Sequence, residues 1–450
     1  MKNAACGIVG LLALWIALPG APAQDGADTR RVGAPWTQSE LERVTEEIKV
    51  DVERLRGMRF LRPVAVRLAT REEFARYARE ELERSVPPER FAADETIAKM
   101  LGVVPVEVDL KETLLTFLEE QVGGFYDPRE EAFYLMEATP HGVAKIVLAH
   151  ELTHALDDQH FDLDGGMKQV EEETDRAFAY QALVEGSGTS LMTQWALENQ
   201  GEIDLGGFEA MQKDANRSLA AAPAWLSKPL IFAYLRGASF LVRSDSLMAG
   251  QIKPASPEDV RRAFASPPES TEQILHPEKY WDEERRDAPQ AVELATWDLP
   301  SGWTVLRTDT LGEVLLALLA APPEARTLPD FSNPLAVLGI QFSHAISEGW
   351  GGDRVVLLAN DGARVLRLVT VWDTERDAAE FFGAMHALAP RLEEAARALD
   401  AKESSGTAGA SVEYGAGERE VVVTVHHGVR SRELRRVTKA LGGGESDKRR

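Results

Sequence analysis

The sequence predicts an α+β protein with two domains: a mostly helical domain containing a small antiparallel sheet, followed by a small α+β domain. Three observations predict this fold class. Apolar residues recur at helical spacing over much of residues 39–285, and two short alternating runs near residue 130 interrupt them. A charged segment at 282–290 marks a change in composition. Strand and helix patterns follow it, with helices expected on one face of a sheet.

The first 23 residues have the pattern of an export signal. Lys2 gives a positive start, residues 6–18 are apolar, and residues 21–23 offer a small-residue cleavage site. The apolar run is shorter than the ~20 residues of a spanning helix, so we expect cleavage, no stable membrane insertion, and a periplasmic or secreted protein. Cys6, the only cysteine, would leave with the signal, so no disulfide is expected. Residues 24–38 are predicted to form a flexible leader.

The net charge limits the classes of partner. With 73 acidic and 50 basic residues, the formal charge is −23 at pH 7. Such acidity argues against nucleic acid and against anionic membranes as partners. Neither a phosphate-binding loop, nor a dinucleotide fingerprint, nor an internal repeat is present in the sequence.

Local patterns predict the elements of the first domain, residues 39–285. Apolar spacing and capping residues predict helices, and alternation predicts strands. Glycines and prolines mark the turns between them. The predicted helices are Ser39–Arg56, Arg71–Arg84, Asp109–Val122, one around residues 141–160, and Glu171–Asn199; the predicted strands are Pro63–Ala69, Gly124–Asp127 and Ala132–Met136.

The second domain, residues 286–441, is predicted from the same signals. A tight turn is expected at Gly349–Asp353, and residues 442–450 are expected to be disordered. The predicted strands are Arg354–Ala359, Val365–Trp372, Ser411–Tyr414 and Glu420–His426; the predicted helices are Thr374–Leu388, Arg391–Lys402 and Ser431–Leu441.

His150, Glu151 and His154 have the spacing His-Glu-x-x-His, which indicates a metal site. Two histidines four residues apart lie on one face of a helix, and the apolar residues 143–148 would bury that helix. Two imidazoles suit two of the four tetrahedral positions of Zn²⁺, and Glu151 would lie beside the metal as a general base. Two buried histidines on an ordinary core helix are the alternative interpretation.

A later segment, Val184-Glu185-Gly186-Ser187-Gly188, offers another acidic group inside the helix predicted for Glu171–Asn199. Each glycine inside a helix costs roughly 1 kcal/mol relative to alanine, so another group must approach this turn closely. A metal centre crossed by another helix would supply that reason.

With these two segments the chain resembles the gluzincin metallopeptidases, the group of thermolysin-like and aminopeptidase-like enzymes. The resemblance implies a zincin-like domain in which His150, His154 and Glu185 bind zinc and Glu151 is the general base. Asp158 also matches an acidic position of the thermolysin-like helix. One position departs from the pattern: Thr189 stands where those enzymes carry an aspartate that orients the first histidine. The segments 232–237 and 270–277 also resemble a set of exported bacterial metallopeptidases.

His160 is the alternative third ligand, because it lies six residues after His154 as in the metzincin pattern. That pattern needs a glycine three residues after the second histidine to break the helix, and position 157 is an aspartate. Glu185 is therefore preferred.

Two residues are candidates for stabilising the oxyanion formed during peptide hydrolysis: Tyr234 and His276. Tyr234 lies in an apolar run and His276 follows a short predicted helix, and the sequence does not choose between them. The sequence thus predicts an exported zinc peptidase acting on peptide or protein substrates, with no prediction of oligomeric state. The alternative is a non-catalytic exported binding or assembly factor with a structural zincin domain.

Overall fold

The computed structural model describes residues 35–127, 129–203, 222–296, 298–322, 326–329, 339–399 and 407–442. The expected export signal and residues 443–450 of the expected tail lie outside this part. The described end of the expected leader is anchored. The Trp36 side chain is buried, its Nε1 donates a hydrogen bond to the Thr139 carbonyl (2.8 Å), and its ring stacks on His141.

The fold is α+β, as predicted. No helix among the described residues combines the length and the apolar composition needed to cross a membrane. The helices are α1 Gln38–Arg56, α2 Arg71–Ser85, α3 Pro88–Met100, α4 Leu110–Gln121, α5 His141–Phe161, α6 Leu163–Val170, α7 Thr174–Glu198, α8 Ala224–Leu241, α9 Leu247–Ile252, α10 Pro257–Ala265, α11 Thr271–Leu275, α12 Glu278–Trp281, α13 Gly312–Ala320, α14 Glu375–Ala398 and α15 Ser431–Ala440. The strands are β1 Ala65–Ala69, β2 Gly124–Asp127, β3 Ala132–Met136, β4 Thr304–Asp309, β5 Trp350–Asn360, β6 Ala363–Trp372, β7 Thr407–Tyr414 and β8 Glu420–Val429.

The first three strands form a small mixed sheet of order β1-β3-β2. The predicted hairpin is present, since β2 pairs antiparallel with β3 and places Gly124 opposite Leu135. β1 adds to β3 in parallel, with Ala65 opposite Ala132. Parallel pairing between strands this far apart in the sequence has no local signal, because no short turn joins them. Helix α5 follows β3 after a short connection.

Helix α5 is the centre of the first domain. Every residue from Ile146 to Asp157 is buried, because α1 and α7 both pack against this helix. Side chains of α1 such as Val44 and Ile48 share one apolar core with Val147 and Leu148 of α5. A helix that is enclosed on all sides holds its polar side chains in fixed positions.

Helices α3 and α6 are among the elements of this domain that the sequence patterns did not predict. Pro88 begins α3, because proline fits the first position of a helix. Helix α6 starts at Leu163. Asp162, with a φ of 53°, ends α5 and accepts a hydrogen bond from the Gly165 N–H at the start of α6.

The last five strands form an antiparallel sheet of order β4-β5-β6-β8-β7. Helices lie on both of its faces, which corrects the prediction of helices on one face. Val355 and Leu357 pack with Phe381 of α14, whereas Val356 packs with Val437 of α15 on the other face. Neighbouring residues of a strand point to opposite faces, so β5 is buried on both sides.

Two further predictions in this part are corrected, and two elements were not predicted. Two helices were expected around Pro390, but α14 is continuous because one buried stripe extends across the proline. The expected tight turn at 349–353 is replaced by the start of β5 at Trp350. β4 and α13 were not predicted, since β4 is mostly exposed and α13 is apolar on every face and shows no period.

Candidate metal centre

His150, Glu151 and His154 lie in the buried middle of α5. The side chains of His150 and Glu151 are essentially inaccessible, and His154 is 6% exposed. The Nε2 atoms of the two histidines are 2.8 Å apart, as expected for rings one turn apart on one helix face. The α5 backbone alone therefore directs both nitrogens to one point.

Glu185 of α7 completes a cluster of three. Its Oε2 lies 3.2 Å from His150 Nε2 and 3.5 Å from His154 Nε2, and its side chain is buried. Ligands at ~2.0–2.1 Å from a tetrahedral Zn²⁺ lie about 3.3 Å from one another. The spacings of 2.8, 3.2 and 3.5 Å, and the donor set of two imidazoles and one carboxylate, fit such an ion.

The two glycines of α7 have the close neighbours that the sequence predicted. A Cβ at Gly186 would lie 2.2 Å from the backbone of Gly237 in α8, so the two helices cross in backbone contact. A Cβ at Gly188 would lie 2.8 Å from the His150 ring. The glycine at 186 makes room for the crossing helix, and the glycine at 188 makes room for the His150 ring.

The orientation of His150 comes from packing. Its ring lies between Gly188 and Tyr234, whose ring stacks on it at a centroid distance of 5.8 Å and an angle of 26°. Ligating histidines usually donate their second ring nitrogen to a carboxylate or carbonyl. Here, in the part of the chain that the structure describes, the Nδ1 atoms of His150 and His154 have no hydrogen-bond partner, and neither has the Thr189 hydroxyl.

Glu151 is a buried acid beside the cluster. Burial, supported by the nearby Glu185 carboxylate, raises the pKa of Glu151 to about 8, although the His154 ring and the Tyr126 backbone favour its ionised form. Tyr126 belongs to β2, an edge strand of the small sheet. A carboxyl with a pKa near neutrality suits a group that accepts and returns a proton.

The electrostatics of the cluster favour a positive charge. Burial disfavours the charged form of His154, but Glu185, Glu151 and Asp157 outweigh this effect and raise its pKa to about 8. Burial also disfavours ionised Glu185, yet the two imidazoles lower its pKa to about 2. The same carboxylates would stabilise a cation bound between these groups.

A buried ion pair involves Asp157, which lies three residues after His154 on α5. Arg56 of α1 donates to Asp157 Oδ2 at 2.8 Å, and the Ser187 hydroxyl of α7 donates to the same oxygen at 2.5 Å. Arg56 and Asp157 are 4% and 1% exposed. The sequence did not predict this hydrogen-bond network, because Arg56 is 101 positions from Asp157 and belongs to no recognised motif.

The remaining sequence candidates lie apart from the cluster. His160 Nε2 meets the Arg59 carbonyl at 2.8 Å on the exposed end of α5. His276 Nε2 lies 3.1 Å from both carboxylate oxygens of Glu313. Asp158 accepts hydrogen bonds from the Tyr126 hydroxyl (3.3 Å) and the Leu163 N–H (3.1 Å), and so joins β2 to the end of α5.

A second cluster of acidic side chains surrounds a lysine. Glu272, Asp287 and Asp373 surround the Lys279 Nζ at 2.6, 3.0 and 3.0 Å. Their charges raise the pKa of Lys279 despite its burial. The ammonium group therefore occupies the place that a metal ion would take among these carboxylates.

A family model described as "Domain of unknown function (DUF8575)" matches residues 303–438. The matched segment contains the five-stranded sheet, α13, α14 and most of α15, and it excludes α5 and α7. No curated protein and no solved structure matches the chain.

Proposed function

We propose that the chain is an exported zinc-dependent peptidase. The single observation that carries the proposal is the convergence of His150, His154 and Glu185, with the buried Glu151 beside them. The alternative third ligand, His160, makes its contact with the Arg59 carbonyl at the C-terminal end of α5, away from the cluster. Export rests on the pattern of the first 23 residues.

In this proposal His150, His154 and Glu185 would hold the zinc ion. Zinc at such a site acts as a Lewis acid and lowers the pKa of water. Glu151 then accepts a proton from the attacking water and passes it to the leaving amine. Its burial excludes bulk water, which strengthens each charge interaction in the site.

Of the two candidates for oxyanion stabilisation, we favour Tyr234. Its ring stacks on the proposed ligand His150, whereas His276 is paired with Glu313. Peptide is the proposed substrate because β2, an edge strand, packs against α5, the helix that carries Glu151, and extended peptides pair with edge strands.

The test combines metal analysis with cleavage of an unbiased peptide library. We expect the purified chain to bind one zinc ion and to cleave peptides. Glu151→Gln should retain the zinc and lose roughly 10²–10⁴-fold in turnover, because glutamine cannot accept the proton. A folded, zinc-loaded Glu151→Gln chain that cleaves at the parental rate would disprove the mechanism.

Two further variants assign the third ligand. Glu185→Gln should weaken zinc binding by more than about 100-fold, since losing even an outer partner of a ligand costs ~10–100-fold. His160→Ala should bind zinc as the parent does, and the opposite result would transfer the ligand role to His160. Zinc binding without peptide cleavage by the parent would favour the non-catalytic factor.

A further inference from the structure

A cavity of about 470 Å³ lies between α3, the segment that follows it, α13 and α14, and none of the proposed zinc ligands lines it. Gly102, with a φ of +65°, ends α3 and brings the next residues against α14 near Ala395. Most of the wall is aliphatic, and its principal side chains are Leu101, Val103, Leu319, Leu388, Leu392 and Ala395. Pockets of about 300–1,000 Å³ with such walls are typical of small-molecule sites.

Two arginines line the same cavity. The guanidinium of Arg326 is fixed by two backbone carbonyls, since its Nε donates to Ala321 (2.9 Å) and its Nη2 to Leu319 (2.8 Å). Arg391, an exposed residue of α14, lines the same cavity, and its charge adds to burial in lowering the pKa of Arg326.

Neither guanidinium has a carboxylate partner among the residues that the structure describes. The other cation at the cavity, Lys99, is paired with Glu95. Glu394 also lines the cavity, but it is exposed and forms no ion pair with Arg326 or Arg391 within the described ranges.

An anion between the two guanidiniums would remove their mutual repulsion and form charge-assisted hydrogen bonds. The aliphatic side chains of the wall offer no hydrogen-bond partners, so a peptide backbone placed against them would lose hydrogen bonds. An alkyl chain has no such requirement and gains from leaving water. We propose that this cavity binds a fatty acid, with the carboxylate between Arg326 and Arg391 and the alkyl chain along the aliphatic wall.

Isothermal titration of the full chain with dodecanoate, below its micelle concentration, tests the proposal. Arg391→Gln should weaken binding by about tenfold, which corresponds to the loss of one partly exposed charge pair. Ala395→Leu, which fills the cavity, should also weaken it. Arg397→Gln is the matched control, because Arg397 lies on α14 in an exposed pair with Glu393 and outside the cavity lining.

Three results would overturn the inference. They are absence of dodecanoate binding, equal affinity in the parent and Arg391→Gln, and equal affinity for dodecanoate and dodecanol. Inorganic phosphate as sole probe separates a simple anion site from a fatty-acid site. Phosphate binding as tight as dodecanoate binding would remove any role for the aliphatic wall. Zinc content is a separate readout, so failure here would leave the proposed peptidase function intact.

Discussion

At the scale of the residue, packing orients the ring of His150, because its Nδ1 has no hydrogen-bond partner among the described residues. Gly188 leaves room for one face of the ring, and Tyr234 covers it from α8. The requirement for glycine at position 188 is therefore steric. It differs from the conformational requirement at Gly102 or Gly57, where φ is positive.

We predict that Gly188→Ala weakens zinc binding by about tenfold or more while leaving the chain folded. The new Cβ would lie 2.8–3.0 Å from three atoms of the His150 ring, so the ring must move. Alanine is favoured over glycine in a helix by roughly 1 kcal/mol, which offsets part of the cost in stability. Zinc titration and urea unfolding of the same protein separate the two effects.

Gly383→Ala is the matched control for this prediction. Gly383 lies within α14, and a Cβ there would meet nothing within 4 Å. This variant should gain up to roughly 1 kcal/mol in stability with unchanged zinc affinity. Equal zinc affinity in Gly188→Ala and Gly383→Ala would contradict the steric role of Gly188.

At the scale of the element, one buried ion pair joins three helices. Arg56 ends α1, Asp157 follows the second histidine on α5, and Ser187 lies between the glycines of α7. The Ser187 hydroxyl links α7 to Asp157 of α5 at a position two residues after Glu185. Asp157 also occupies the position at which a metzincin helix would break, so α5 continues to Phe161.

We predict that Arg56→Met destabilises the chain by about 3–5 kcal/mol, because removing one partner leaves a buried charge without compensation. The double variant Arg56→Met/Asp157→Asn should recover part of this loss, since the isolated charge is then absent. Urea unfolding of the parent, the single and the double variant measures both effects.

Arg43→Met provides the comparison on the same helix. Arg43 pairs with Glu47, and both side chains are more than half exposed. Exposed pairs of this kind contribute ~0.3–0.5 kcal/mol. If Arg56→Met and Arg43→Met cost the same, the buried pair does not hold the helices together.

At the scale of the whole molecule, α7, the helix that carries Glu185, begins where the first domain contacts β4 of the five-stranded sheet. Thr174 of α7 donates its N–H to Asp309 Oδ1 of β4 (2.8 Å), and the Asp175 N–H donates to the Thr310 carbonyl (3.1 Å). Asp175 in turn accepts the Thr271 N–H at the start of α11 (3.0 Å). The five-stranded sheet therefore helps to place the proposed metal ligand.

Asp175 should make stability depend on pH. Burial raises its pKa to about 7, with the Asp353 and Glu313 carboxylates adding to the effect and the Thr271 hydrogen bonds opposing it. Between about pH 4 and 7 the folded chain holds a proton that the unfolded chain has released, so stability falls as the pH rises through this window. Asp175→Asn should reduce the loss between pH 5 and 7.5 by roughly 1–3 kcal/mol, measured by urea unfolding.

Asp361→Asn is the control for this measurement. Asp361 lies in the exposed turn between β5 and β6, and asparagine tolerates its positive φ of 42°. This variant should keep the pH dependence of the parent. A pH dependence of Asp175→Asn equal to that of Asp361→Asn would show that Asp175 does not hold its proton in the folded chain.

The sequence alone predicted the α+β class, every described strand except β4, about half of the described helices, and the residues at the candidate centre. These features have local causes. The four-residue spacing of His150 and His154 places both rings on one helix face wherever that helix packs, and alternation in β2 and β3 identifies the hairpin. The glycines at 186 and 188 indicated a close approach, although the sequence could not name the approaching groups.

Only the tertiary structure decided which distant groups meet. The contacts of Glu185 with the histidines, Tyr234 with His150, and Arg56 with Asp157 join residues from four different helices, α1, α5, α7 and α8. The parallel pairing of β1 and the helices on both sheet faces are likewise long-range results. Such contacts depend on how helices and strands pack against one another. The spacing of apolar residues along one helix or strand shows which of its faces is buried, but not which other helix or strand covers that face.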